Sequence, residues 1–168
     1  MFGNSLYTPD SNSQTPAVTT NSYETKPLSL TRNTNNSLAG YNASAGQKLA
    51  NIALNNSAGW KHLCATYVKN AIQDANMGEY KYGDAYKMSS ILRDNKNFKE
   101  ISADSIDVKD LPAGCVLVYD KGAQGYSKNY GHTEITTGDG RAVSDGITQH
   151  LHKKPSAVFI PVEHNYLA

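Results

Sequence analysis

The stretch Gly59–Val68, with the sequence GWKHLCATYV, places one cysteine between loop-forming residues and an amphipathic run. The apolar spacing that follows Cys64 predicts a helix over about 63–75. A thiol at the start of a helix faces unpaired backbone N–H groups and the positive end of the helix dipole, and both favour the thiolate. Because the thiolate is the nucleophilic form, Cys64 is a candidate catalytic residue. For any lone cysteine the alternative is a buried structural role.

The totals of the chain exclude several classes of protein. Its 168 residues fit one compact domain plus a tail. The net charge is +1 and the basic residues are scattered, so nucleic acid is not expected as a partner. No apolar run approaches the roughly 18 residues of a membrane-spanning helix, so membrane insertion is not expected either. Two cysteines are too few for a disulfide scaffold, and a bridge between Cys64 and Cys115 stays open.

The segment 1–43 differs in composition from the rest of the chain. It is rich in Asn, Ser and Thr, and its apolar residues follow neither helical nor strand periodicity. Such a segment cannot bury enough apolar surface to offset its ordering entropy, so we expect disorder over 1–43 and one domain over 44–168. The segment is either a delivery signal or a spacer. The first basic residue of this segment is Lys26 and no apolar run precedes it, so we expect no cleaved general-secretion signal peptide.

Three helices are predicted in the first part of the domain. The first covers 44–54, with Ser44 as its N-cap. The second covers 63–75 and repeats apolar residues every three or four positions, at Val68, Ala71, Ile72 and Ala75. The third begins at Asp84, which is a good N-cap residue.

A strand period replaces the helical one after residue 111. Short runs of β-favouring residues predict four strands, over 115–119, 131–137, 141–145 and 157–162. The turn at 138–140 joins the second and third of them as a hairpin. Pro161 indicates an edge position or a strand end. Helices first and antiparallel strands second predict an α+β fold.

Nucleophilic cysteine catalysis needs an imidazole that takes the thiol proton. His132 is the best candidate, because it begins a predicted core strand. His62 lies near Cys64 in sequence but precedes the helix and is expected to point to solvent. His150 and His152 have a spacing that can hold metal on a strand, but no further ligand stands at zinc-site spacing, so no metal is expected.

The imidazole in turn needs a polar group that orients it. Antiparallel pairing across the turn at 138–140 brings 143–145 alongside 132–134, so Asp145 or Ser144 can reach the ring. Glu134 lies two residues after His132 on the same strand face and is the other carboxylate in reach. For each acid the alternative is a solvated surface charge.

These segments resemble, in order, the motifs of the CHAP and NlpC groups of papain-like peptidoglycan hydrolases. Cys64–Val68 is similar to their cysteine motif, in which the nucleophile opens a helix and an aromatic–aliphatic pair follows three and four residues later. Gly131–Ile135 resembles their Gly-His strand. Between them, 84–98 and 111–119 resemble the second helix and the first strand of the family. The resemblance covers about residues 45–163.

The resemblance implies a papain-like (CHAP/NlpC-type) α+β fold, in which N-terminal helices pack on a small antiparallel sheet. It implies Cys64 as nucleophile and His132 as general base. The third catalytic residue of these families lies on the strand after the histidine strand, so Asp145 is our first choice, with Ser144 and Glu134 behind it. Trp60, Tyr67, Tyr130 and Ser144 are expected to contact the substrate.

The implied activity is cysteine-dependent hydrolysis of an amide bond in the peptidoglycan stem, as an endopeptidase or an N-acetylmuramoyl-L-alanine amidase, without a cofactor. Which bond is cut stays open. We expect a monomeric antibacterial effector or phage-associated lysin, made in the cytoplasm and delivered to the periplasm or cell wall by a specialised route. Its expected partners are peptidoglycan and a cognate immunity or inhibitor protein. The alternatives are a protease, deamidase or acyltransferase acting on a host protein, and a non-catalytic binding module.

Overall fold

The computed structural model describes residues 38–104 and 106–163. The predicted disorder over 1–43 therefore falls mostly on residues that lie outside the described part of the chain. In that part, helices come first and strands follow. The helices are α1 (Ala43–Asn56), α2 (Cys64–Asp74) and α3 (Met88–Arg93). The strands are β1 (Phe98–Ile101), β2 (Val116–Tyr119), β3 (His132–Thr136), β4 (Ala142–Val143), β5 (Ile147–Thr148) and β6 (Ala157–Pro161).

The helix boundaries follow the sequence pattern closely. α1 is capped by Asn42, whose side chain accepts a hydrogen bond from the Ala45 backbone N–H at 3.0 Å. The predicted cap, Ser44, instead lies inside the first turn. α2 buries the predicted stripe, and this stripe packs against α1 and β3. A short 3-10 turn, Ala85–Lys87, follows Asp84 and leads into α3.

The six strands form one sheet in the order β1-β6-β2-β3-β4-β5, with every neighbouring pair antiparallel. The β3–β4 hairpin is the predicted one and pairs Ile135 with Val143. β6 lies between β1 and β2, so Pro161 is not on a sheet edge. It is the last residue of β6 and pairs with Phe98 of β1. The α+β prediction is confirmed.

Two apolar clusters cover the two faces of the sheet. The larger joins α1, α2 and α3 to one face, with Phe159, Val116 and Ile135 at its centre. The smaller packs loops on the other face around Leu117, Tyr119 and Ile160. Leu38 belongs to this second cluster. Because both faces are covered, the middle strands β2 and β6 are buried along their whole length.

Two strands were not predicted. The first, β1, begins at Phe98 and ends at Ile101, and both of these residues are buried. β5 has two residues and is too short for a period to show. None of the helices in the described ranges is long and apolar enough to cross a membrane.

Candidate active site

Cys64 is the first residue of α2 and is partly exposed. No side chain caps this helix among the described residues; its N-cap position is taken by Leu63. The first intrahelical bond runs from the Tyr67 N–H to the Leu63 carbonyl at 3.1 Å. The N–H groups of the first turn are therefore left for a ligand or for water. Cys64, Ala65 and Thr66 line a cleft, so this turn borders an open space.

His132 begins β3 and is held by the residue before it. Gly131 has φ +69°, and a Cβ at this position would lie 2.3 Å from the Tyr119 carbonyl oxygen. Only glycine combines that conformation with that approach. The His132 side chain is 6% exposed, and the Tyr126 ring stacks on it with centroids 4.3 Å apart and planes at 16°. The imidazole is thus fixed from below by the strand and from one side by an aromatic ring.

Glu134 contacts the imidazole from the same face of β3. Its Oε2 lies 3.4 Å from His132 Nε2, and its side chain is fully buried. The Thr148 hydroxyl donates to Oε2 at 2.7 Å, and the Tyr119 hydroxyl donates to Oε1 at 3.3 Å. Because a buried carboxylate needs partners, these contacts hold Glu134 in place against the ring.

The charge state of His132 follows from these neighbours. Burial by itself lowers the pKa of His132, but hydrogen bonds with Cys64 and Glu134, and the charges of both, raise it to about 9. Cys64 and His132 line the same cleft. The arrangement favours a protonated imidazole at neutral pH.

Asp145, our first choice for the orienting residue, makes no hydrogen bond with the imidazole among the described residues. Its Oδ2 accepts hydrogen bonds from the backbone N–H groups of Lys61, at 2.7 Å, and Leu63, at 3.0 Å. The reason is that β4 ends at Val143, so the chain turns before Asp145 and carries its carboxylate toward the loop in front of α2. Of the three polar residues considered, the structure brings Glu134 to the ring.

The cleft in front of Cys64 has a volume of about 650 Å³. Two of the four predicted substrate contacts line it: Trp60, 60% exposed, and Tyr130, 58% exposed. Tyr67 and Ser144 do not. Ser144 is buried, and its hydroxyl donates to Asp145 Oδ1 at 3.0 Å. Tyr67 lies nearly one turn further along α2 and is half-buried outside the lining of the cleft.

The remaining histidines and the second cysteine lie apart from this centre. His62 is exposed, as expected, and lines the rim of the cleft. His150 and His152 are also exposed, and no group of three potential metal ligands occurs within 38–104 and 106–163. Both cysteines are free thiols, so the bridge left open above is not formed. Burial raises the pKa of Cys115 to about 12, which suits a structural role.

Sequence reasoning did not find the full role of Tyr126. Tyr126 is one of eleven tyrosines in the chain, and it lies in a loop that contains several glycines. In the structure its ring stacks on His132, and Lys153 Nζ lies 4.1 Å from the centroid of the Tyr126 ring. A sequence signal for such stacking does not exist, because the loop of 120–131 has no period. Positive φ angles at Gly122, Gln124 and Gly125 shape this loop.

Comparison with solved structures supports the fold. The chain is similar to a chain of the crystal structure of the type VI native effector–immunity complex Tae3–Tai3 from Ralstonia pickettii, with 23% sequence identity and a TM-score of 0.55. The similarity covers 70% of this chain and 98% of that one. The selenomethionine crystal of the same complex gives 24% identity, a TM-score of 0.49, and coverage of 68% and 99%. No protein-family model matches the chain, and no curated protein sequence does.

Proposed function

We propose that the protein is a cysteine-dependent peptidoglycan hydrolase that cleaves an amide bond of the stem peptide. The observation that carries the proposal is that Cys64, at the open start of α2, lines the same cleft as His132, which is paired with the buried Glu134. A thiol, an imidazole and a carboxylate in this order are the components of nucleophilic cysteine catalysis. The cleft beside them has the size of a site for a small peptide or a disaccharide peptide.

In the first half of the reaction, the Cys64 thiolate attacks the carbonyl carbon of the scissile amide. The oxyanion that forms accepts a hydrogen bond from the uncapped N-terminus of α2, with the Cys64 N–H as the nearest donor. His132 then gives its proton to the amine nitrogen as the C–N bond breaks, and a thioester with Cys64 remains. The raised pKa of His132, about 9, keeps that proton available at neutral pH.

In the second half, water replaces the amine. Neutral His132 takes a proton from the water as its oxygen attacks the thioester carbonyl, and the carbon–sulfur bond breaks to release the carboxylic acid product. The Cys64 thiolate and the His132 imidazolium are thereby restored. Glu134 keeps the ring oriented through both halves, because its own partners, Tyr119 and Thr148, fix it.

We further propose that the chain acts as a delivered antibacterial effector. Two observations support this: the CHAP/NlpC resemblance of residues 45–163, and the fold shared with a chain from a type VI effector–immunity complex. A cognate immunity protein is then the expected partner, and the open cleft beside Cys64 is the surface it would block. The bond that is cut is the L-alanine amide at the muramic acid or a bond within the stem.

Incubation of the purified protein with purified peptidoglycan tests the proposal. Mass spectrometry of the released fragments identifies the new termini and hence the bond. We expect wild type and Cys115→Ser to release fragments, and Cys64→Ala and His132→Ala to release none while keeping their circular dichroism spectra. Undiminished release by Cys64→Ala would end the proposal. Cleavage of proteins with no release from peptidoglycan would favour the host-protein alternative.

A further inference from the structure

The loop that precedes Cys64 is tied to the sheet through one residue. Residues 57–63 join α1 to α2 without helix or strand structure. Four of their backbone N–H groups donate to Asp145: those of Ala58 and Gly59 to its carbonyl oxygen, at 3.0 and 2.9 Å, and those of Lys61 and Leu63 to Oδ2. The carbonyl oxygen of Asp145 thus holds the first half of the loop, and its carboxylate holds the second half.

Asp145 is built for this contact. It is 1% exposed, and the Ser144 hydroxyl donates to its other carboxylate oxygen. Burial by itself raises the pKa of Asp145, but hydrogen bonds from Leu63, Lys61 and Ser144 outweigh it and lower the pKa. A charged acceptor makes stronger hydrogen bonds than a neutral one. The loop is therefore held by an ionised carboxylate.

The loop needs such a partner because its conformation is not self-sustaining. His62 has φ +61°, in the left-handed region that a non-glycine residue rarely adopts. Residues in such conformations persist where their surroundings determine them, and the bonds from Lys61 and Leu63 to Asp145 flank His62 on both sides. The next residue after the second of these bonds is Cys64.

The residue after Asp145 places Trp60. A Cβ at Gly146 would lie 2.3 Å from the Trp60 ring, so the indole packs directly on the backbone of the turn. Trp60 also lines the cleft. The turn at 145–146 thus holds both the backbone before Cys64 and the aromatic wall beside it.

We infer that Asp145 is a positioning residue that fixes the loop 58–63, and through it Cys64 and Trp60, while Glu134 alone serves the imidazole. This inference rests on the proposed function, in which Cys64 is the nucleophile. In this inference, the buried carboxylate of Asp145 positions Cys64, and the buried carboxylate of Glu134 orients His132. Asp145 lines the cleft, but both of its carboxylate oxygens accept hydrogen bonds from the protein, and it transfers no proton in this scheme. Its effect on catalysis passes through the loop.

Asp145→Asn is the direct test, because it removes the charge while keeping the size of the side chain. Trp60 is the only tryptophan of the chain, so its fluorescence anisotropy reports the loop without any need for turnover. We expect lower anisotropy and faster amide hydrogen exchange at Lys61 and Leu63. We also expect kcat on peptidoglycan to fall by about 100-fold, because misplacement of a reacting group by ~1 Å has that effect. The pKa of His132, followed by NMR, should be unchanged.

Two controls make the result interpretable. Glu134→Gln should lower the pKa of His132 and leave the anisotropy of Trp60 as in wild type, which is the reverse pattern. Asp139→Asn removes an exposed carboxylate of the β3–β4 turn and should change neither measurement. An Asp145→Asn variant that lowers the pKa of His132 and leaves the loop signals unchanged would overturn the inference.

A milder variant covers the case in which Asp145→Asn does not fold. Ser144→Ala removes only the hydroxyl that donates to Asp145 Oδ1. We expect anisotropy and amide exchange to change in the same direction as in Asp145→Asn. The changes should be about two- to threefold smaller, because only one of the three hydrogen bonds to the carboxylate is lost. No change in either signal would overturn the inference. Because neither signal needs hydrolysis, an inactive wild-type protein would count against the proposed function and not against the role of Asp145.

Discussion

The Nε2 atom of His132 lies 3.4 Å from the Oε2 atom of Glu134, two residues along the same strand. Successive residues of a strand point to opposite faces, so positions i and i+2 share one face and their side chains can meet. In this protein both side chains are buried, and Glu134 has two further hydrogen-bond donors. In the proposed mechanism, the acid that orients the base is thus close to it in sequence, although the proposed nucleophile, Cys64, is 68 residues away from His132 in the chain.

Glu134→Gln tests this pair. Glutamine keeps the shape of the side chain but removes the charge that helps raise the pKa of His132 to about 9. We therefore expect that pKa to fall toward the ordinary value, and kcat/KM on peptidoglycan to fall by about 100-fold, within the usual range for acid–base groups. NMR titration of the His132 ring and fragment release measure the two effects. An unchanged titration would show that the carboxylate does not act on the ring.

The stability of the fold should depend on pH through His132. Its folded pKa of about 9 lies above the unfolded value near 6.5, so the folded state binds more protons between these values. The stabilisation is then fully present below about pH 6.5 and is lost as the pH rises through about 9, by roughly 3 kcal/mol. Urea unfolding at several pH values in this window measures it. The loss should be smaller in Glu134→Gln, and an equal loss in both would contradict the assignment to His132.

Gly131→Ala should lower the free energy of unfolding by more than the cost of placing alanine at a positive φ. The new Cβ would meet the Tyr119 carbonyl oxygen at 2.3 Å, which forces the strand start and His132 to move. Gly125→Ala is the matched control, since its φ is +80° and nothing lies within 4 Å of the new Cβ. We expect about 1–2 kcal/mol for the control and at least ~2 kcal/mol more for Gly131→Ala in urea unfolding. Equal losses would exclude the steric explanation.

The two thiols should differ sharply in reactivity. Cys64 borders the cleft, whereas Cys115 is fully buried and burial raises its pKa to about 12. Thiolate is the form that reacts with iodoacetamide, so alkylation of the folded protein near neutral pH should modify Cys64 only. Peptide mass spectrometry identifies the site, and modification in urea should reach both residues. Alkylation of Cys115 in the folded protein at a comparable rate would contradict the burial described here.

Sequence patterns predicted the parts of the site that depend on period. The start of α2 at Cys64 and of β3 at His132 follows from apolar spacing, and both were found within one residue. The partner of the imidazole could not be predicted from a sequence period, because it depends on where β4 ends. Pairing across the hairpin stops at Val143, and no residue type in 141–145 indicates that the strand ends there. Asp145 therefore reaches the loop before α2, which the sequence pattern could not indicate.

The position of β6 in the sheet has a consequence for synthesis of the protein. This strand is the last one described, yet it occupies an interior place between β1 and β2. A nascent chain on the ribosome can form α1 and α2 early, since their contacts are local. His132, Glu134 and Asp145 are synthesised after Cys64. The sheet that positions them is complete only when residues 157–161 have emerged. A translation product that stops short of β6 would carry the thiol without an assembled partner, so the site is complete only after residues 157–161 have left the ribosome.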